Sequence, residues 1–209
     1  MPATLQYHRS SDETDTVALI RDMMALDREL YGNIGEDHLG GFEYWRERFA
    51  HCPESLSVAR RPDGALAGYF QFLPVTSDFR DQVLAGNARD GQIPLAAVVS
   101  YAGTREPCHL YLCSMAVRPE YRGRSVASRL YREEALFQRA RQEESGIRLR
   151  SLMSVVWSPC GARFFARLGL PCVGFDRDGR PVHARELPDG TLPEIRVPTV
   201  RPEVLAVAA

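Results

Sequence analysis

An apolar run made of His109, Leu110, Tyr111, Leu112, Cys113, Ser114, Met115, Ala116 and Val117 ends abruptly at Arg118-Pro119. The run is long enough for a central strand, and proline stops it because that residue supplies no donor to a sheet ladder. A short basic turn follows at once, Arg122-Gly123-Arg124-Ser125-Val126-Ala127. From about 125 to 141 the residues Val126, Ala127, Leu130, Tyr131 and Phe137 then recur on one stripe of a helix. Glu134 intrudes on that stripe; an ion pair with a nearby arginine, or a helix rotated from this placing, explains it as well as a functional carboxylate does, and it is read as structural.

Where a strand passes through a tight turn into a helix, successive backbone N–H groups at the helix start point outward unpaired, with the positive end of the helix dipole behind them. Arg122 and Arg124 add charge there, and the small residues Gly123, Ser125 and Ala127 let an anion approach the amides. The turn is therefore a candidate phosphate cradle. A solvent-facing turn with two ordinary surface arginines fits the spacing equally well.

The remainder of the chain supplies the partners such a strand needs. Residues 4–8 read as a short first strand. Ser11, Asp12, Glu13 and Thr14 offer caps to a first helix whose apolar stripe is Val17, Ile20, Met24, Leu26, Leu30 and Tyr31, closed by Gly32-Asn33. A second helix is expected over 38–50, with Phe42, Trp45 and Phe49 on one side. Residues 56–59 and 65–73 flank Pro62-Asp63-Gly64 as a β-hairpin. The stretch from Pro74 to Pro107 reads as an insertion carrying its own short elements, among them a helix around 79–84 and an apolar run, 93–101, bounded by Gly91 and Gly103. Residues 149–157 form a strand, and Ser158-Pro159 reads as an N-cap followed by proline at the first helical position, with Gly169 closing the helix. Two short strands surround Asp178-Gly179, and a Pro-rich extension covers about 188–209.

At 209 residues and a formal net charge of −1, the chain suits one domain, 1–209, without the basic surface of a nucleic-acid binder. No apolar leader opens it and no stretch of ~18 uncharged apolar residues occurs, which predicts a cytoplasmic protein without a membrane segment. Its 5 cysteines are odd in number and hold no C-x-x-C spacing, so reduced, mostly buried thiols are expected rather than a disulfide or metal site.

The segment Met115-Ala116-Val117-Arg118-Pro119-Glu120-Tyr121-Arg122-Gly123-Arg124-Ser125-Val126-Ala127 resembles the signature of the GNAT N-acetyltransferase superfamily, whose turn is R/Q-x-x-G-x-G/A. Arg122 and Ala127 match it, and Ser125 replaces the first motif glycine. The later family segment, an Asn followed by A-x-x-F-Y-x-x-x-G-F, is similar to the stretch containing Ser158, Ala162, Phe164, Phe165 and Gly169. There Ser158 stands for the Asn and Phe165 for the Tyr. The likeness is clear over about 111–170. It implies an α+β GNAT fold: a mixed central sheet of about six to seven strands flanked by helices, with the insertion before the central cofactor-binding strand.

The resemblance implies acetyl-CoA as co-substrate, with no metal, and transfer to a primary amine of a small molecule or peptide by direct attack in a ternary complex. In such enzymes the strand before the turn is splayed from its neighbour. Met115, Ala116 and Val117 would then border the pantetheine, Arg122, Gly123, Arg124, Ser125, Val126 and Ala127 the pyrophosphate, and Ser158 the pantetheine or sulfur. The usual base position falls on Tyr111 and the usual proton-donating tyrosine on Phe165, which cannot donate. Tyr111 and His109, two residues apart on one strand face, are the catalytic candidates, with a water relay from His109 or an insertion carboxylate as a substitute. Cys113 shares that face and reads as a buried thiol. A non-catalytic acyl-CoA-binding module acting as a sensor or partner domain is the competing reading. The apolar tail 204–209 suggests a homodimer.

Overall fold

Pro62, Asp63 and Gly64 turn the chain between β2 (Leu56–Arg60) and β3 (Leu66–Val75): Gly64 takes a φ of 86° and Asp63 accepts from the Ala65 amide at 3.1 Å. The computed structural model describes residues 4–32, 34, 36–101 and 107–195. β1 (Gln6–Arg9) pairs with the outer edge of β2, and β3 pairs along its length with β4 (Cys108–Val117). β5 (Leu149–Val155) then lies parallel to β4, followed by β7 (Pro181–Glu186) and β6 (Cys172–Phe175). The described residues thus build a mixed seven-stranded sheet, in the order β1-β2-β3-β4-β5-β7-β6, antiparallel except at β4/β5. With helices beside it, this is an α+β architecture.

α1 (Thr16–Tyr31) starts at Asp15, whose carboxylate accepts from the Ala18 amide at 2.9 Å, so the cap falls just beyond the four residues expected to supply it. Its buried face is also rotated from the expected stripe: Leu19, Ile20, Met23 and Leu26 are enclosed, and Val17 is exposed. The second helix is broken in two, α2 (Glu36–Leu39) and α3 (Phe42–His51). Gly40 causes the break, because it takes a left-handed φ of 71° and a Cβ on it would meet the Tyr44 ring at 2.5 Å. Asn33, expected to close α1, lies outside the described residues.

Within residues 74–107, Pro74 and Val75 finish β3, and Thr76 caps α4 (Ser77–Leu84). Two 3₁₀ turns follow, Asp90–Gln92 and Leu95–Ala97, and Val98 forms an isolated antiparallel bridge with Val75. This ties the segment to the end of β3 and delivers Asp90 beside β4, where it meets the Tyr111 hydroxyl.

α5 (Val126–Ser145) packs across β2, β3 and β4, and α6 (Pro159–Leu168) is capped by Ser158, whose hydroxyl accepts from the Gly161 amide at 3.1 Å. Phe70, Phe72, Tyr131 and Phe164 form one aromatic cluster between helices and sheet. Glu134 is fully buried there and bonds Arg9 of β1, Ser57 at 3.2 Å and Gln138 at 2.6 Å. The acid on the apolar stripe is thus matched by an arginine from a distant strand. The apolar tail at 204–209, and with it the dimer it suggested, lies outside the described residues.

Candidate active site

The last ladder pair between β4 and β5 is Tyr111 with Met153. Beyond it β4 stays on β3 as far as Val117 opposite Gly68, while β5 follows β7 as far as Val155 opposite Val182, and the two parallel strands separate. A bulge adds to the divergence. Gln71 opposes Ser114 and Phe72 opposes Leu112, which leaves Cys113 as the extra residue, and such an insertion bends the strand that carries it. Ser154 closes the base of the gap, its hydroxyl donating to the Leu112 carbonyl at 2.8 Å.

One side of the gap opens on a groove at the start of α5. Arg122, Gly123, Ser125, Val126 and Ala127 line it together with Met115, Val117 and Ser158. Arg163 and Arg167, one turn apart on α6, line it too. Gly123 takes a φ of 76°, and a Cβ there would meet nothing within 4 Å, so the space over the turn is open. Ser125 takes a φ of 62° and is the only non-glycine residue with positive φ among those described; it makes no side-chain cap to α5. Left-handed backbone is glycine's region, which accounts for the glycine the family motif has at this place. With no cap across them, the first amides of α5 face a groove ringed by arginines, and that combination suits a pyrophosphate. Arg124 is not among the residues lining the groove, although its guanidinium lies 5.9 Å over the Tyr121 ring, which does line it; Ala116 is buried within β4.

The other side of the gap opens on a cavity walled by Leu112, Cys113, Ser114 and Met115 of β4 and by Ser154, Val155, Val156, Trp157 and Ser158. Tyr31, Met115, Ser158 and Gly161 border both spaces, so the two adjoin. Two acids stand in the cavity wall. Asp90 accepts from the Tyr111 hydroxyl on one oxygen and from Trp157 Nε1 at 3.2 Å on the other. Asp27 of α1 accepts from the Tyr69 hydroxyl, which also bonds the Ser114 hydroxyl at 2.8 Å. Desolvation raises each carboxyl from 3.8 to about 7, against the lowering effect of these hydrogen bonds. Tyr31 donates to the Met115 carbonyl at 3.0 Å.

The two catalytic candidates of the sequence do not reach this cavity. Tyr111 is fully buried behind its wall, and burial, followed by the neighbouring Asp90 charge, pushes its phenol well above the ordinary value. It is a donor to Asp90, not a base. His109 sits between α4 and β5, with Ser77 at 3.2 Å and Ser151 at 2.8 Å on its two ring nitrogens, and burial lowers its pKa. Cys113 does line the cavity, but burial holds it as a thiol well above its usual pKa, 3.2 Å from Gln71 Oε1. Phe165 lines the cavity beside them and stacks on His183 at 5.6 Å.

Asp27, Asp90, Tyr31 and Trp157 were not singled out by the sequence. Asp27 carried a signal, because it follows Ile20 and Met23 and precedes Tyr31 on the buried stripe of α1. Asp90 is one of the insertion carboxylates offered as a substitute base, though nothing in the sequence picked it out from the others.

A sequence profile of the acetyltransferase (GNAT) family matches residues 20–170. The chain belongs to that family. Its fold is the GNAT fold, and solved family structures share it at low identity. The loading GNATL domain of CurA from Lyngbya majuscula has a TM-score of 0.61 at 14% identity, covering 88% of this chain and 98% of that one. NAA60 of Arabidopsis thaliana, solved with a bisubstrate analogue, has a TM-score of 0.55 at 15% identity over 90% and 100%. A GNAT acetyltransferase from Brucella melitensis, solved with acetyl-CoA, has 0.51 at 15% over 91% and 96%. Among curated proteins none matches the chain. No described helix of this GNAT protein is long and apolar enough to cross a membrane, and its described residues hold no cluster of metal-binding side chains.

Proposed function

We propose that this GNAT protein moves an acetyl group from acetyl-CoA to a primary amine, by direct attack within a ternary complex. One observation carries the reading: the strands β4 and β5 part between an arginine-lined helix start on one side and a cavity holding two buried acids on the other. Arg122, Arg163, Arg167 and the first amides of α5 would hold the pyrophosphate, and the splayed stretch Met115, Ala116 and Val117 the pantetheine. Acetyl-CoA brings the thioester; the protein orients it, encloses the reacting carbon and handles the protons of the amine. The Brucella relative was solved with acetyl-CoA and the Arabidopsis relative with a bisubstrate analogue, which agrees with two substrates held together.

Calorimetric titration with acetyl-CoA tests the cofactor half. An Arg122→Glu plus Ser125→Asp variant places two negative charges against the cradle and is expected to lose binding at least tenfold; equal heats from variant and wild type would remove the pyrophosphate assignment. Release of CoA with a broad amine panel tests the transfer half. Phe165 at the usual proton-donor position and the buried Tyr111 favour a second reading, a CoA-binding module without turnover. Tight acetyl-CoA binding with no release of CoA for any amine would select it.

A further inference from the structure

The two acids of the cavity differ in how their charge is met. Asp90 has both oxygens engaged, by Tyr111 and Trp157, and the Arg180 guanidinium lies 3.4 Å over the Trp157 ring, close enough to act on the same carboxylate. Asp27 has one oxygen engaged, by Tyr69, and no hydrogen bond from the described residues reaches its Oδ2, although the residue is only 4% exposed and borders the cavity. Among the described residues, the titratable groups acting on Asp27 are Tyr31 on its own helix, Tyr69 on β3 and Cys113 on β4, none of them cationic; Asp90 and His38 of α2 share its cavity, His38 with its ring 3.5 Å from Asp178. A buried carboxylate without a cation of the protein's own requires a proton or a cation from outside.

That requirement matches an incoming ammonium. Besides Asp90, His38 and the serines Ser114, Ser154 and Ser158, the cavity wall is mostly apolar and aromatic, with Ile34, Leu39, Trp45, Trp157 and Phe165 in it. From Asp27 the hydrogen-bonded path through the Tyr69 hydroxyl ends at Ser114, on the splayed part of β4 where the thioester of the proposed co-substrate would lie. On the acetyl-transfer reading, on which this rests, we propose that Asp27 is the catalytic base: it binds the ammonium of a primary amine carried on a flat apolar body and removes its proton before attack.

The N–H bond of R–NH₃⁺ breaks, the proton passes to Asp27 Oδ2, and the neutral amine keeps the electron pair. As the C–N bond forms and the C–S bond breaks, a second nitrogen proton goes to the leaving sulfur, and the Asp27 proton returns to solvent. No acid is needed at Phe165. The raised carboxyl, about 7 rather than 3.8, stands nearer to an alkylammonium at ~10 and makes this transfer less uphill.

Asp27→Asn keeps an acceptor for Tyr69 and cannot take the proton. With 2-phenylethylamine as probe, three readouts separate the possibilities. Calorimetry of the protein without acetyl-CoA should show amine affinity at least tenfold weaker in D27N, with acetyl-CoA affinity unchanged. Turnover should fall by about 100-fold or more, the usual weight of a general base, and the fall in kcat/KM of the wild type below pH ~7 should vanish. Tyr69→Phe removes a hydrogen bond that lowers the Asp27 pKa, so it should move that acid limb to higher pH while leaving it in place. Wild-type amine binding, rate and pH profile in D27N would overturn the role of Asp27 and leave the transferase reading standing. A peptide α-amine preferred over 2-phenylethylamine would overturn the substrate class. Acetyl-CoA binding without transfer by the wild type, to any amine, would overturn both.

Discussion

At Ser125 the site uses a backbone conformation that is costly for any residue with a side chain. The serine backbone is left-handed, with φ 62°, in the turn that faces the arginine-ringed groove. An L-residue pays roughly 1–2 kcal/mol for that conformation, and a β-branched one clashes further. Ser125→Gly relieves the strain but loosens the unfolded chain, so stability should move by less than about 1 kcal/mol, while acetyl-CoA binding should hold or tighten because nothing then overhangs the amides. Ser125→Val should lose about 1–2 kcal/mol and bind acetyl-CoA more weakly. Urea melts and calorimetry on the two variants measure both effects; a Val variant as stable and as tight-binding as wild type would show that the turn is not held left-handed.

Among the elements, β4 does the most to make the site, because it must serve two neighbours that diverge. It stays on β3 to its end while leaving β5 after Tyr111, and the bulge at Cys113 lets it do so. The grip of β3 depends on close approach: Gly68 lies opposite Val117, and a Cβ there would meet the Ala116 carbonyl oxygen at 2.8 Å and Val117 Cα at 3.2 Å. Both are backbone atoms and cannot swing aside. Gly68→Ala is therefore expected to force the strands apart at a cost of about 1–3 kcal/mol. Because Val117 borders the groove, acetyl-CoA affinity should drop even where the variant is fully folded. Unchanged affinity in a destabilised variant would separate the β3–β4 contact from the cofactor site.

For the molecule as a whole, the buried acids set how stability responds to pH. The folded carboxyls of Asp27 and Asp90 hold their protons to about 7, whereas unfolded ones release them near 3.8. Between those values the native state binds more protons than the unfolded chain, so these groups make stability fall as pH rises from about 4 to about 7, after which their effect is constant. At ~1.4 kcal/mol per tenfold change in proton affinity, each can account for no more than about 4 kcal/mol. His109, lowered by burial, acts in the opposite direction as pH falls through the ordinary histidine range. Comparing urea melts of the wild type and Asp27→Asn at pH 5 and pH 8 cancels the His109 contribution. The variant should gain on the wild type at the higher pH; parallel behaviour at both would mean that Asp27 titrates like an exposed carboxylate.

Local features of the chain were determined by local chemistry, and the sequence was enough to read them. The strand, turn and helix around Arg122 follow from a proline that ends a ladder, small residues that bare backbone amides and an apolar stripe of period 3.6. Ser158 and Pro159 open a helix for equally local reasons, and Gly169 ends it in the left-handed region. The break at Gly40 was missed because it depends on where the Tyr44 ring lies. Tyr111 and His109 share a strand face, as a period of two requires, but only the packed layers show that this face is closed over by Asp90 for the one and by Ser77 and Ser151 for the other. The acids make the same point most clearly. Glu134 and Asp27 each interrupt an apolar helical stripe, and nothing near them in sequence distinguishes them. Tertiary structure brings Arg9 to Glu134 and, among the described residues, brings no cation to Asp27, because a charge's partner comes from whatever element packs against it, and that is fixed by the sheet order and the splay of β4 from β5.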